Sequence, residues 1–198
     1  MNPRRRVLAA AVLTLAAAGC VAGPAPRDHF YRLDIPKPAK GSPALPGVLE
    51  VERFRSDDVL RRSAMVRSAP GSSEVRPYTY HLWVNSPTLV LQRALADYLR
   101  AAGVAQTVTT PDAGMTEDWQ VTGNLRHFDH ITGDAPAALV AIELRLRRYQ
   151  SARAVLQKVY RAQVPADGGS PQAAADAFSA AVTQVFQEFT TDLRAVAP

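Results

Sequence analysis

Residues 78–103, YTYHLWVNSPTLVLQRALADYLRAAG, carry the pattern of one strand feeding one helix. In an extended backbone Tyr78, Tyr80, Leu82 and Val84 share one face, while Thr79, His81 and Trp83 take the other. Asn85-Ser86-Pro87 stops the strand: Ser86 can accept from a free helical amide, and Pro87 suits the first helical position, where no backbone donor is needed. Leu91, Leu95, Tyr98, Leu99 and Ala102 then recur on one helical stripe, and Gly103 is placed to end it. Buried, each large side chain of that stripe contributes roughly 1.5–3 kcal/mol before entropy is subtracted. This unit organises a core and names no chemistry.

Outward from it, the remaining segments read as strands until a last helix. Upstream, residues 30–35 alternate with Tyr31, Leu33 and Ile35 on one side, residues 36–46 are loop, and residues 48–54 form a strand with Leu49 and Val51 inward. Residues 57–68 begin as a helical turn and end as a strand. Downstream, residues 104–109 are a short β-branched strand, and Trp119, Val121, Gly123 and Leu125 alternate with polar neighbours. Val140, Ile142, Leu144 and Leu146 alternate with Glu143, Arg145 and Arg147, and residues 155–164 return antiparallel as a hairpin. Ser170-Pro171 repeats the Ser-Pro helix start, ahead of a stripe of Phe178, Val182, Val185, Phe186, Phe189, Leu193 and Val196. The pattern predicts a single α/β (α+β) domain: a mostly antiparallel or mixed sheet, its strands meeting mainly as hairpins, with two main amphipathic helices packed on it.

A chain of 198 residues is long enough for one well-buried domain. Its net charge of +5 includes Arg4, Arg5 and Arg6; without them 20 basic residues face 18 acidic ones. With no later basic run interleaved with aromatics, nucleic acid is not an expected partner. The N-terminus joins that basic patch to an apolar run of about a dozen residues, short of the about 20 that span a bilayer, as an export signal does. The signal ends Ala17-Ala18-Gly19-Cys20, which resembles the bacterial lipobox. That resemblance implies cleavage before Cys20, with acyl chains on its sulfur and amine; ordinary cleavage after Ala18, leaving a free thiol in the periplasm, is the alternative. The expected organisation is a removed signal peptide over residues 1–19, a lipidated Cys20 with a Gly/Pro/Ala tether over 20–28, and the domain over 29–198. The one cysteine leaves no internal disulfide framework.

No phosphate loop, dinucleotide turn, zincin or nucleophile elbow occurs in the sequence. His127, Asp129, His130 and Asp134 are its one group of potential metal ligands, but His127 and His130 face opposite sides of a strand, so no metal or cofactor is expected. Ser72-Ser73 has no histidine nearby to activate it. Trp83 reads first as core on the second face of a covered sheet, and otherwise as an aromatic facing a partner. Arg145, Arg147, Arg148, Arg153, Lys158 and Arg161 fall on the predicted hairpin. They form either a solvated strand face or one positive surface for an acidic partner or anionic head groups.

The order of these features resembles the ABC-type transport auxiliary lipoprotein family. The resemblance is carried by Phe30-Tyr31-Arg32-Leu33, Val51-Glu52-Arg53-Phe54, Leu60-Arg61 leading to Met65-Val66-Arg67, Tyr80-His81-Leu82-Trp83 with the helix after it, Arg126-His127-Phe128 and the amphipathic C-terminal helix. It implies a non-enzymatic subunit of an envelope lipid-transport system; the anchor at Cys20 is expected on the periplasmic face of the outer membrane, because Val21 rather than an aspartate follows it. Its implied partners are a mammalian-cell-entry (MCE) protein bridging the periplasm and the ABC permease with its ATPase, and a ring-forming homo-oligomer is among the expected forms. Another class remains open, a periplasmic interaction lipoprotein regulating a cell-wall synthase or secretion assembly.

Overall fold

The structure, a computed structural model, describes residues 25–197; the signal peptide and Cys20 lie outside the described residues. The chain runs β1 (His29–Tyr31), β2 (Leu45–Val51), β3 (Arg55–Ser56), α1 (Asp58–Arg61), β4 (Ala64–Ser68), β5 (Val75–Trp83), α2 (Pro87–Ala102), β6 (Ala105–Thr109), β7 (Trp119–Ile131), β8 (Ala137–Arg148), β9 (Ala154–Pro165) and α3 (Pro171–Val196). All nine strands join one mixed sheet, with both long helices packed against it: an α+β fold.

β7 is its axis. Along one edge it takes β2, β3 and β4 in succession, each parallel, and along the other it takes β8 antiparallel. β9 continues antiparallel from β8, β6 lies parallel beside β2, and β5 joins β4 to β1. Hairpin pairing is thus confined to β4–β5, β7–β8 and β8–β9, a narrower use than the sequence suggested. The difference has a physical reason: β2, β3 and β4 share the direction of β6 and β7 and meet them only across long intervening segments, where pairing is parallel, while β5, which enters α2, runs opposite to β6 and β7.

The helix after β5 forms as its pattern requires. Leu91, Leu95, Tyr98, Leu99 and Ala102 are all buried, and Gly103 ends α2 in the left-handed region at φ 66°, its N–H reaching the Arg100 and Leu99 carbonyls. Ser86 does not cap as expected, since its hydroxyl meets that of Thr88 at 3.2 Å instead of an amide. Ser170 does, accepting from the Ala173 N–H at 3.1 Å. α3 adds aromatic packing to the core. Phe178 lies 4.3 Å from Phe128 and 5.3 Å from Trp83 between ring centroids, and Phe186 lies 5.7 Å from Tyr98.

Two irregularities decide which side chains face that core. Between Ala64↔Leu82 and Val66↔Pro77 the β4–β5 register shifts, so β5 has no single buried parity. Tyr80 and Val84 are exposed, whereas Trp83, from the other set, is 1% exposed. On β7 the register shifts between Leu125 and His127, which makes Arg126 the extra residue. Val121, Gly123 and Leu125 before it, and Phe128 and His130 after it, therefore lie on the helix-covered side. Gly123 is required there: a Cβ would stand 2.5 Å from Cδ1 of Phe54, which fills that space.

Candidate functional site

The same alternation that buries Val121, Leu144 and Leu146 turns their neighbours to the face that no helix covers. There Gln120, Thr122 and Asn124 of β7, Glu143, Arg145 and Arg147 of β8 and Gln157 of β9 line a groove of about 640 Å³. Glu52, Arg53 and Arg55, at the end of β2 and the start of β3, form the opposite wall. Both groove carboxylates are engaged. Glu52 accepts from Gln120 Nε2 at 2.7 Å, while Glu143 accepts from Arg126 and, at 2.7 Å, from Gln157 Nε2. The bond from Arg126, followed by that from Gln157, holds the Glu143 carboxyl below the usual range. Beside the groove, burial pushes the Glu50 carboxyl up, with Glu117 and Glu52 adding like charge.

Arg145 and Arg147 are half-buried and brace the hairpin turn. Arg145 Nη2 donates to the Ala152 carbonyl at 2.7 Å, and Arg147 donates to the Ser151 carbonyl at 3.2 Å and to Gln120. Nε of Arg145 is buried and has no acceptor.

The six hairpin cations do not make one positive surface, because neighbours on a strand point to opposite faces. Lys158 turns to the helix side, where it bonds Glu188 at 2.7 Å and Asp192 at 2.9 Å and sits 5.0 Å from the Tyr160 ring centroid. Arg148 lies over the Trp119 ring at 4.9 Å. Arg153 at the turn and Arg161 are exposed, with Arg161 on the open face opposite Ala141. Trp83 is enclosed by Phe128 and Phe178, so its partner-facing alternative does not fit this fold: α3 covers it.

The histidines are divided as the strand geometry requires. His130 is fully buried with Nδ1 2.9 Å from the Tyr78 hydroxyl, and burial, followed by the Arg67 charge, pushes its pKa down. His127 lies 2.8 Å from Asp129 on the other face. His81 pairs with the Tyr31 hydroxyl at 2.8 Å and stacks on His29. Among the described residues no group of three His, Cys, Asp or Glu side chains could hold a metal ion, and no helix is long and apolar enough to cross a membrane.

Sequence reasoning found the two β8 arginines and missed Arg53, Arg55, Thr122 and Asn124. The alternation of β7 placed Thr122 and Asn124 opposite the core, but nothing local to Arg53 and Arg55 announces that β3 lies parallel to β7, pairing Arg55 with Asn124.

The family model described as ABC-type transport auxiliary lipoprotein component matches residues 31–189. Among solved structures, protein XCC0632 from Xanthomonas campestris is similar with a TM-score of 0.75 at 19% identity, over 85% of this chain and 95% of that one. An uncharacterized protein is similar at a TM-score of 0.59 and 14% identity, over 87% and 97% of the two chains. Hypothetical protein CT253 from Chlamydia trachomatis reaches a TM-score of 0.50 at 11% identity, over 77% and 98%. At such identities the likeness is one of fold. No curated protein matches the sequence.

Proposed function

The chain belongs to the ABC-type transport auxiliary lipoprotein component family, and from that premise we propose that it serves a lipid-transport system of the Gram-negative envelope as a non-catalytic, lipid-anchored subunit. The carrying observation is the family match across residues 31–189, nearly the whole described domain. The finer reading is that Cys20 is the lipid attachment site, that the anchor lies in the periplasmic leaflet of the outer membrane, and that the domain docks an MCE protein bridging from the permease and its ATPase. A lone cysteine directly after an export signal, a short tether and a domain with one uncovered polar face support that reading. Arg153 and Arg161 are the hairpin cations free to meet an acidic partner, since Lys158 is held by the last helix and Arg148 lies on Trp119.

The test is to isolate the tagged full-length protein from native membranes in mild detergent and identify what accompanies it by mass spectrometry. An MCE protein together with a transporter ATPase is the expected result. Recovery of cell-wall enzymes or secretion components instead would put the periplasmic interaction lipoprotein in its place. Cys20→Ser is expected to leave the protein soluble. Charge reversal by Arg153→Glu with Arg161→Glu is expected to lose the MCE protein, and unchanged recovery removes the hairpin as the contact.

A further inference from the structure

We propose that the corner of the sheet around Phe30 rests on the surface of the bilayer that holds the anchor, a second membrane contact made by exposed apolar and basic side chains. This contact presupposes the lipidated Cys20 proposed above and adds to it the direction in which the domain faces.

An apolar patch is the first ground. Phe30 pairs with Leu82 across β1 and β5, and Leu82 pairs with Ala64 across β5 and β4, so the three form one row on a single face. It is the face opposite Trp83, which α3 covers. Tyr80 and Val84 stand two residues from Leu82 on either side. Phe30 is 63% exposed, Tyr80 40% and Val84 38%. Exposed apolar residues scattered singly are ordinary, whereas a contiguous group marks a contact.

Charge is the second. The Val84 N–H donates to the Tyr31 carbonyl at 3.0 Å and the Trp83 N–H to the Ser63 carbonyl at 2.6 Å, which brings Arg32 and Arg62 to the two sides of Val84. Both arginines are exposed, and neither has an ion-pair partner among the described residues. Arg27 and Asp28 stand together at the end of the tether. Rings and aliphatic side chains edged by free arginines suit the headgroup boundary, where aromatic rings settle and cations meet anionic phosphates. A second copy fits less well, because an isologous contact would set each arginine pair against its own twin.

Connectivity selects the bilayer. Phe30 lies ten residues beyond Cys20, so at no more than about 3.6 Å per residue it stays within about 36 Å of the anchor. No other strand joins the anchor through so short a length of chain. Tethering makes the encounter intramolecular, so a contact too weak to recruit a free protein suffices. β1 and β9 end opposite arms of the sheet, five strand spacings or about 24 Å apart along it. With the β1 corner on the bilayer, the hairpin that carries Arg153 and Arg161 is turned towards the periplasm.

The test places a tryptophan at the patch by Phe30→Trp, or at the far edge of the sheet by Val159→Trp, both exposed positions. The full-length protein, purified from native membranes, is reconstituted in phosphatidylethanolamine–phosphatidylglycerol vesicles with plain or brominated acyl chains, and its fluorescence is compared between them. The native Trp83 and Trp119 are buried and supply the same background in every sample. Phe30→Trp is expected to lose most of its added emission to bromine and Val159→Trp none. Arg32→Glu with Arg62→Glu should reduce the quenching, as should phosphatidylcholine in place of phosphatidylglycerol. Protein that carries no acyl chains and does not float with the vesicles overturns the anchor, and this contact with it. Protein that is acylated and floats, yet leaves Phe30→Trp unquenched or Val159→Trp equally quenched, overturns this contact alone. Blue-shifted emission from Phe30→Trp without quenching also overturns it, and identifies a second copy as the cover.

Discussion

The two faces of the β7–β8 ladder share one backbone and have almost nothing else in common. On the covered face Val121, Leu144 and Leu146 are fully buried beneath helices whose aromatic rings interlock with Phe128 and Trp83. On the open face, one residue away along each strand, Thr122 lines a polar groove beside Arg145 and Arg147, which donate to the Ala152 and Ser151 carbonyls and to Gln120. Burial of apolar area is worth far more than exposed ion pairing, so the first face holds the fold together while the second is free to be specified by what it meets. A substitution's cost should follow parity more closely than position.

The largest expected effect sharpens that contrast. Phe178→Ala empties a site packed against Phe128 and Trp83 and should cost about 3–5 kcal/mol in urea unfolding. Arg161→Ala, on the open face, should stay within about 0.5 kcal/mol. Comparable costs at the two sites would break the comparison. Gly123→Ala comes next. It places a Cβ where Phe54 already stands and should cost about 1–3 kcal/mol by overpacking. Phe54→Leu combined with it should cost less than the two changes summed, because the smaller side chain vacates part of the contested space.

That glycine also shows how far the sequence could be read. Both long helices were legible because a three-to-four residue period survives without knowledge of partners: each large residue of the α2 stripe, and all of the α3 stripe up to Leu193, is buried. The β8–β9 hairpin was legible for the same reason, a period of two with a turn between. Strand faces were legible only as far as the first bulge. Trp83 is covered although its parity partners Thr79 and His81 are exposed or half-exposed, because the register shift on β5 exchanges the faces, and no local residue marks it. β1 stops at Tyr31, short of the strand read to residue 35, although Leu33 and Ile35 still pack on the core. The groove was half legible. Its β8 wall lay in a visible alternation, and its β3 wall depends on a parallel pairing set by long-range return of the chain.

Titration probes the covered layer where polar groups enter it. The folded-state pKa of His130 lies below its unfolded value, chiefly through burial, so the neutral imidazole is the form that folding favours. Its contribution is present above the unfolded value of about 6.5 and is lost as the pH falls below it. His130→Phe should flatten the stability curve in that range, at a cost near neutrality of about 1 kcal/mol from the Tyr78 hydroxyl left without its imidazole partner.

Asp192 tests the rim of the same layer with the opposite chemistry. Its carboxylate accepts from Lys158 at 2.9 Å and from the Tyr160 hydroxyl at 3.0 Å, and the Lys158 bond, opposed by partial burial, draws its pKa below the usual range. The folded-state pKa therefore lies below the unfolded one. The stabilisation is present above the unfolded value of about 3.9 and disappears as the pH falls through the folded one. The same carboxylate raises the pKa of the Tyr160 hydroxyl, already pushed up by burial, so the phenol stays protonated throughout this range. Asp192→Asn should cost about 0.5–1 kcal/mol at pH 7, less in high salt, and converge on the parent protein near pH 2. A cost that persists unchanged into acid would mean that the side chain acts by packing against Tyr160, and the rim would then belong to the apolar face after all.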